Sequence, residues 1–280
     1  MKSSGIELTI SSKNMRTKDF SWNTDFIFSK TKNEITDLKS HANVLSLISG
    51  NGFGREGYPV RGLFSIPFAG LTEDGLPTFI NQDGQKTISS FNFQEYEKLD
   101  FLKYEGPTDP TITGSFGNIL TYKNLKLNVF VTYSFGNVIR LDPVFSNAYS
   151  DLDAMPKEFK NRWMKAGDEN VTNIPTIVST RMNQQYAYLN MAYNAYNYSD
   201  VRIADGGFIR LKEISLSYDL PAKVINFFRL NKLQLKLQAT NLCLLYADSK
   251  LNGQDPEFFR SGGVSTPVPK QFTFTVRLGL

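Results

Sequence analysis

Polar and apolar residues alternate without a break at the end of the chain, in Gln271-Phe272-Thr273-Phe274-Thr275-Val276-Arg277-Leu278-Gly279-Leu280. One face of an extended strand would carry the apolar members, which are Phe272, Phe274, Val276, Leu278 and Leu280. The opposite face would carry hydroxyl, amide and guanidinium groups. A repeat of two residues is the period of a β-strand, so the sequence predicts a strand with one apolar and one polar face.

The same period appears in six earlier segments of the 280-residue chain. They are residues 6–10, 20–28, 111–122, 125–135, 206–219 and 231–246. Within 206–219 the apolar positions change parity at Lys212-Glu213, which predicts a β-bulge there. Residues 14–18 and Tyr122-Lys123-Asn124 are short enough to join neighbouring strands as hairpins. The pattern therefore predicts seven antiparallel strands.

The connections between these segments fall into two classes that alternate along the chain. The short ones are 14–18, 123–124 and 220–231, and the long ones are 32–110, 139–205 and 247–268. In an antiparallel meander every short turn then lies at one end of the strands and every long loop at the other. This is the organisation of an outer-membrane barrel, which has short periplasmic turns and long extracellular loops.

The predicted fold class is all-β: an antiparallel transmembrane β-barrel segment of about seven spanning strands with long extracellular loops. Seven strands predict an incomplete wall of a larger barrel, because a small closed barrel needs about eight and bacterial single-chain barrels have an even number. In such a wall one face meets lipid and the other meets water. We therefore expect the apolar file from Phe272 to Leu280 to face lipid, and Thr273, Thr275 and Arg277 to face the lumen.

A soluble or surface-attached glycan-binding module with a β-sandwich or jelly-roll fold would also alternate, and the sequence leaves this alternative open. Such a module would have to accommodate three long loops. The 31 basic and 27 acidic residues leave a net charge of only +4, so nucleic acid is not an expected partner. No run of about 18 apolar residues is present, so no membrane-spanning helix is predicted.

Residue counts disfavour an enzyme or a metalloprotein. With one histidine, His41, and one cysteine, Cys243, the chain cannot assemble a Cys/His zinc site or a multi-histidine centre. His41 lacks a recognisable Ser/Asp motif, and Cys243 is expected to pack as a small apolar side chain. Asp151, Asp153 and Asp168-Glu169 lack the glycine and distal glutamate of an EF-hand. We expect no catalytic residue, metal or cofactor, although residue counts leave carboxylate-only glycosidase chemistry open.

The long loops carry signals of their own. In the first loop, residues 58–68 and 77–84 have the pattern of hairpins, which predicts ordered β-structure. In the second loop, residues 156–165 are the helical candidate, with Pro156 where a first helical turn tolerates it.

A run rich in tyrosine and asparagine at 186–198 is the most functional-looking patch of the sequence. Aromatic rings stack on the apolar faces of sugars while amides bind hydroxyl groups, or else the rings pack the loop on itself. The possible ligand or partner loop comprises Trp163, Tyr186, Tyr188, Tyr193, Tyr196 and Tyr198.

Taken in order, short motifs along the whole chain resemble the C-terminal barrel region of SusC/RagA-type TonB-dependent outer-membrane transporters of Bacteroidetes. The first motifs are Gly5-Ile6-Glu7-Leu8-Thr9, Phe20-Ser21-Trp22, Gly57-Tyr58-Pro59-Val60, Ala69-Gly70-Leu71 and Asp74-Gly75-Leu76-Pro77. Next come Phe135-Gly136-Asn137, Asn161-Arg162-Trp163, Thr172-Asn173-Ile174-Pro175, Phe208-Ile209-Arg210-Leu211-Lys212 and Ser217-Tyr218-Asp219-Leu220-Pro221. Ala239-Thr240-Asn241-Leu242, Gly253-Gln254-Asp255-Pro256-Glu257 and Pro269-Lys270-Gln271-Phe272-Thr273-Phe274 complete the series. Each motif is weak alone, but their order is specific.

This resemblance implies a function as well as a fold. Residues 1–280 would be the C-terminal part of the barrel of a non-enzymatic outer-membrane importer of glycans or peptides, with no plug domain or signal peptide among them. The implied partners are a SusD-like surface lipoprotein, the TonB complex through the missing N-terminal part, an oligosaccharide or peptide substrate, and outer-membrane lipid. The implied location is the cell outer membrane.

Overall fold

The computed structural model describes residues 1–50, 54–149, 152, 155–227, 230–259 and 269–279, and most of its regular structure is extended. The strands are β1 (Lys2–Arg16), β2 (Phe20–Glu34), β3 (Gly62–Ser65), β4 (Phe68–Leu71), β5 (Pro77–Ile80), β6 (Lys86–Thr87), β7 (Lys103–Pro107), β8 (Ile112–Tyr122), β9 (Leu125–Phe135), β10 (Val138–Arg140), β11 (Ile203–Asp205), β12 (Phe208–Asp219), β13 (Lys232–Ala247) and β14 (Gln271–Gly279). The α-helices are α1 (Val44–Ser49), α2 (Thr180–Gln185), α3 (Leu189–Asn197) and α4 (Ala222–Phe227).

Seven long strands form one antiparallel sheet in the order β1-β2-β8-β9-β12-β13-β14. Their lengths run from 9 to 16 residues, whereas strands of globular proteins usually have about five or six. Successive long strands are neighbours in the sheet, so the predicted antiparallel meander is confirmed. The predicted β-bulge is confirmed too, because the register of β12 against β9 and β13 shifts between Leu211 and Glu213.

The two faces of this sheet differ in polarity. One cross-strand row on the face that we call the apolar face consists of Trp22, Leu120, Leu127, Leu216, Leu237 and Phe274. The adjacent row on the opposite face, the polar face, consists of Ser21, Thr121, Lys126, Ser217, Lys236 and Thr275. Phe274 is 61% exposed, whereas Ser215 on the polar face is 4% exposed. The sheet therefore displays its apolar side chains and shelters polar ones, the reverse of a water-soluble sheet.

The connections between the long strands have the predicted two classes. Residues 17–19 join β1 to β2, residues 123–124 join β8 to β9, and α4 lies in the connection from β12 to β13. The connections from β2 to β8, from β9 to β12 and from β13 to β14 are long. Because the strands are antiparallel, all three short connections lie at one end of the sheet and the long ones at the other.

A second compact unit, the loop unit, is made from Met1–Ser3, Asn33–Asp109 and Asn137–Asp205, and the rest of the chain forms the sheet unit. The strands of the loop unit form three small sheets, β3-β7, β4-β5-β6 and β10-β11. Its two long segments share main-chain hydrogen bonds, from Ile66 N to Tyr198 O at 3.0 Å and from Thr176 N to Gly75 O at 3.0 Å. The predicted order in the first loop is confirmed, but the shared core was not predicted.

Two local predictions in the loops were wrong in part. Residues 77–84 do form a hairpin, because β5 pairs with β6. Residues 58–68 do not, because β3 pairs with β7, where the Phe64 and Tyr104 rings pack 5.4 Å apart. The helix predicted at 156–165 is only a 3₁₀ turn at Lys157–Asn161, which ends where Trp163 N donates to Ile174 O at 2.9 Å.

Helices of the loop unit have local starting signals and buried faces. The Asn43 side chain caps α1 by accepting from Ser46 N, and Gly50 ends that helix with a left-handed φ of 67°. The helix α3 buries Ala192, Tyr193 and Tyr196 in the core of the unit. Within the described residues, no helix combines the length and apolar character needed to cross a membrane.

Candidate functional site

Five neighbouring strands, β8, β9, β12, β13 and β14, line an open pocket of about 250 Å³ on the polar face. Its lining consists of Ile119, Lys126, Asn128, Ser215, Ser217, Gln234, Lys236 and Arg277. The strand register brings these residues together, because Ser217 pairs with Lys126 on one side and with Lys236 on the other. Arg277 was assigned to this face from the sequence, but its pocket partners on β9 and β13 could be found only once the register was known.

Positive charge exceeds negative charge in this pocket. Lys236 lies 3.9 Å from Glu213, whose carboxylate also accepts from Asn128 Nδ2 at 3.2 Å. Within the described part of the chain, the side chains of Lys126 and Arg277 make no ion pair or hydrogen bond. The lining thus offers ammonium, guanidinium, hydroxyl and amide donors without a carboxylate.

A buried ion pair fixes the third long connection to the polar face. Arg210 of β12 donates from Nη2 to Oδ1 and Oδ2 of Asp255 at 2.5 and 2.7 Å, and the two side chains are 5% and 7% exposed. Glu257 lies 3.2 Å from the same nitrogen. Asp255 also begins the 3₁₀ turn Pro256–Phe258 by accepting from Glu257 N. The ion pair between Asp255 and Arg210 was not predicted from the sequence.

The terminal strand places Phe272, Phe274, Val276 and Leu278 on the apolar face, all of them exposed. Leu280 lies outside the described residues. These side chains pair across the sheet with Ala239, Leu237, Leu235 and Leu233 of β13. The predicted file of apolar side chains on β14 therefore lies on one face of the sheet, and it continues the apolar row of the neighbouring strands.

Polar groups on the apolar face satisfy one another. Trp22 Nε1 and Thr24 Oγ1 donate to Asn118 Oδ1 at 2.7 and 2.8 Å. Tyr133 crosses over Gly114 and donates its hydroxyl to Ile27 O at 2.9 Å. Such pairing lowers the cost of placing these groups in a medium without water.

Two of the five predicted tyrosines belong to the core of the loop unit. Tyr193 and Tyr196 are 1% and 2% exposed, and Tyr193 donates its hydroxyl to Thr176 O. Tyr196 packs edge-on against Phe68 and Phe145. Burial raises the pKa of both phenols above the ordinary value. Both rings therefore hold the loop together, and other rings form its surface.

The remaining members of the predicted loop lie at or near the surface. Tyr186 donates to Asp74 Oδ2 at 2.8 Å, and this hydrogen bond raises the pKa of the Tyr186 phenol. Tyr188 is 70% exposed and has a left-handed φ of 62°. Tyr198 is half-buried beneath the Arg140 guanidinium, 5.4 Å from the ring centre. Trp163 donates to Glu169 Oε2 at 3.0 Å, which lowers the pKa of that carboxyl.

An open cleft in the loop unit lies beside this tyrosine run. Its lining consists of Thr78, Lys86, Thr87, Ile88, Ser89, Gln185, Tyr186 and Ala187. Hydroxyl and amide groups predominate, and Ser89 Oγ donates to Ala187 O at 3.3 Å. The cleft therefore joins one predicted ring, that of Tyr186, to hydrogen-bonding groups of the first loop.

The residues considered for catalysis and metal binding have ordinary surroundings. His41 is exposed, and Asp168 Oδ2 accepts from the main-chain nitrogens of Met164 and Lys165. Cys243 is exposed on the apolar face opposite Leu211. No group of three or more metal-binding side chains occurs among the described residues; Asp151 and Asp153 lie outside them.

Sequence comparisons relate the chain to receptors of one bacterium. No family model matches it. TonB-dependent receptor P3 of Formosa agariphila is 25% identical over 92% of the chain, and TonB-dependent receptor P39 is 24% identical over 94%. The chain spans 25% and 28% of the lengths of these two curated relatives.

Solved structures share the fold of the chain. The RagAB peptide transporter matches 99% of the chain with a TM-score of 0.73 and 21% identity, and the chain covers 29% of that protein. The RagAB peptide importer in its closed-closed state matches 99% of the chain with a TM-score of 0.71 and 22% identity. The relatives named here are receptors and transporters, not enzymes. The chain is therefore similar in sequence to TonB-dependent receptors and in fold to the RagAB transporter, in agreement with the resemblance of its ordered motifs to SusC/RagA-type outer-membrane transporters.

Proposed function

We propose that the sheet unit is part of the wall of a transmembrane β-barrel, with all seven long strands crossing the outer membrane. A tilted strand needs about 9 to 11 residues to cross the hydrocarbon core, and the seven strands reach this length. The observation that carries the proposal is the inverted burial of the sheet. Its apolar face, exposed along Trp22, Leu237 and Phe274, would contact lipid, and its polar face would line the lumen.

The sheet edges support a wall that continues on both sides. β1 and β14 each have a single neighbour in the described sheet. Main-chain groups left unpaired in hydrocarbon cost several kcal/mol each (about 2 to 7), so a spanning wall needs further strands at both edges. A glycan-binding sandwich, the competing hypothesis, would instead cover the apolar face with a second sheet.

The complete receptor would import oligosaccharides or peptides across the outer membrane, driven by the TonB complex. A SusD-like lipoprotein would close the barrel at the cell surface, where the long connections emerge. This part of the proposal is supported by the ordered motifs and by the relatives' names, which are those of TonB-dependent receptors. The likeness to RagAB, a peptide transporter, supports peptides as the imported solute. The cleft beside Tyr186 offers hydrogen-bonding groups suited to either peptides or oligosaccharides.

Uptake by living cells tests this proposal. Bacteria carrying the complete receptor gene, and a matched deletion strain, are given fluorescent oligosaccharides and oligopeptides above the size limit of porins. We expect receptor-dependent uptake of at least one class, lost in a strain without TonB and restored by the complete gene. Equal uptake by both strains for every oligomer tested would contradict the import function. Hydrolysis of an oligomer by the purified receptor would point to an enzyme instead.

A further inference from the structure

The cleft beside Tyr186 lies along the outer edge of a small sheet. Its lining includes four consecutive residues of the first long connection, from Lys86 to Ser89. Successive side chains of a strand point to opposite faces, so a cleft lined by four residues in a row follows the edge of the strand. β6 comes last in the order β4-β5-β6, and β5 is its single neighbouring strand within the described residues. The main chain of β6 therefore borders the cleft.

The hydrogen-bond register shows which main-chain groups of this edge point away from β5. Asn81 N donates to Gln85 O at 3.0 Å, so these two residues form a hydrogen-bonded pair. Hydrogen-bonded and non-hydrogen-bonded pairs alternate in an antiparallel ladder, so the next pair, Ile80 and Lys86, is non-hydrogen-bonded. The N–H and C=O groups of Lys86 therefore point outward from β5. By the same alternation, those of Ile88 point outward as well.

The opposite wall of the cleft comes from the second long connection. Gln185, Tyr186 and Ala187 line it, and Ser89 Oγ donates to Ala187 O at 3.3 Å, which joins the two walls. The Tyr186 ring is held in place because its hydroxyl donates to Asp74 Oδ2. Both walls belong to the loop unit. The volume of about 460 Å³ lies within the range of ligand sites and accommodates a short extended segment.

Outward main-chain groups on alternate residues select the main chain of a peptide as their partner. Two residues of a strand span about 6.7 Å, and an extended peptide repeats its own outward N–H and C=O groups at the same interval. A peptide that adds to a sheet edge gains affinity from these main-chain hydrogen bonds and specificity from side-chain pockets. An oligosaccharide carries hydroxyl groups but lacks this repeat of paired donors and acceptors.

We propose that the imported solute is a peptide whose extended main chain pairs with the outer edge of β6. The inference rests on the proposed function, because it requires the long connections to meet solute at the cell surface. Lys86 and Ile88 would each contribute one main-chain donor and one main-chain acceptor. Tyr186 would contact a side chain of the bound peptide.

The test uses the complete receptor, purified in detergent and immobilised, and three fluorescent probes. They are a pool of hexapeptides of random sequence, the same pool with every peptide nitrogen methylated, and a pool of neutral hexasaccharides. Lys86→Pro and Ile88→Pro each remove one outward N–H, at an edge position where proline is tolerated. Lys86→Ala and Ile88→Val keep that N–H and serve as matched controls. Heat-modifiable migration in gels verifies that every variant is folded.

The wild type and both controls should retain the hexapeptides at least about tenfold more strongly than the methylated pool, because methylation removes the main-chain donors of the solute. Each proline variant should bind the hexapeptides about five- to tenfold more weakly than its control, as expected for the loss of one hydrogen bond. Equal retention of the two peptide pools by the wild type would overturn the proposal. Unchanged hexapeptide binding in both proline variants would overturn it too.

Other results would identify a different occupant of the edge. Retention of hexasaccharides that is lost in the proline variants would assign the cleft to sugars, which overturns the peptide site and leaves the import function intact. Proline variants that unfold at lower temperature than their controls without solute, with unchanged hexapeptide binding, would assign the edge to another segment of the receptor. Failure of the wild type to retain any pool would overturn this site, whereas the import function fails only if receptor-dependent uptake by cells is also absent.

Discussion

The two units of the chain differ in where their apolar side chains lie: the loop unit buries them and the sheet unit exposes them. Among the described residues, all buried hydrophobic side chains except Phe208 and Leu251 belong to the loop unit. The sheet unit instead exposes large apolar residues along its strands, including Trp22, Leu237 and Phe274. Strand lengths differ in the same sense, with 9 to 16 residues in the large sheet and two to five in the loop unit.

This contrast indicates that the two units are stable in different surroundings: the loop unit in water, and the sheet unit with an apolar medium against one face. A unit with its own core, like that formed around Phe64, Phe79 and Tyr196, is stabilised by removing apolar surface from water. A single sheet with an exposed apolar face gains nothing comparable in water and needs an apolar surface against that face, which lipid would supply under the proposed function. Under the proposed function, one chain would therefore contain both a unit with a core of its own and part of a membrane wall.

The largest expected effect concerns the loop-unit core. Phe79 is fully buried and packs against Phe68 and Phe91. Phe79→Ala should destabilise the loop unit by about 3–5 kcal/mol through lost transfer energy and a cavity. Hydrogen exchange of the complete receptor in detergent should show faster exchange in α3 and β5 and unchanged protection in β9 and β12. The exposed Tyr96→Ala is the control, and equal loss in both units would mean that they are not separate.

The buried ion pair gives the next effect. Asp255→Ala leaves the Arg210 guanidinium buried beside Glu257 alone, at 3.2 Å, and should cost about 3 kcal/mol. The double variant Arg210→Met/Asp255→Leu should recover most of this loss. Asp109→Ala, which breaks the exposed Arg61–Asp109 pair, should cost at most about 0.5 kcal/mol. The readout is the temperature at which folded receptor loses its heat-modifiable mobility, and equal losses for both single variants would refute the buried anchor.

A smaller effect is expected at two glycines of β8. A Cβ at Gly114 would lie 2.2 Å from Ile27 O, beneath the Tyr133 ring, whereas at Gly117 the nearest atom would be 3.4 Å away. Gly114→Ala should therefore cost about 1–3 kcal/mol from overpacking, and Gly117→Ala close to nothing. Thermal midpoints of the purified receptor measure both. Equal thermal midpoints for the two variants would show that the contact of Tyr133 with the strand is not part of the fold.

The smallest effect is expected at Tyr188, whose left-handed φ of 62° favours glycine. Tyr188→Gly should stabilise the start of α3 by about 1 kcal/mol, measured by hydrogen exchange. If the exposed ring contacts solute, the same change should weaken binding, whereas Tyr188→Phe should not. A loss of stability in Tyr188→Gly would show that the ring packs against the fold.

Local pattern was enough to predict the strands of the sheet unit. Alternation along Gln271–Gly279 and the parity change at Lys212-Glu213 are properties of neighbouring residues, and the structure has both features. The core of the loop unit joins residues that are far apart in the sequence, since Phe68 and Tyr196 pack together from the two different long segments of that unit. The helix α3 was missed because its asparagines and tyrosines have modest helix propensity, and burial of one face overrides that preference.

The candidate site could be predicted only in part. Alternation assigned Arg277 and Thr275 to the polar face, but nothing in one segment shows which residues lie beside them. Lys126 and Arg277 are 151 positions apart in the sequence, and only the register of the strands between them places both in one pocket. The pair of Arg210 and Asp255 escaped prediction for the same reason.

The inverted burial of the sheet unit is tested most directly on β14 of the complete receptor. Val276 lies on the apolar face and pairs with Leu235, whereas Thr275 lies on the polar face and pairs with Lys236. Arginine facing lipid near the middle of the membrane costs about 2–4 kcal/mol, and arginine facing the lumen costs little. Heat-modifiable folded receptor is quantified in outer membranes for Val276→Arg and Thr275→Arg. We predict that Val276→Arg abolishes assembly and Thr275→Arg preserves it; equal amounts of folded receptor from both variants would contradict a lipid-facing apolar face.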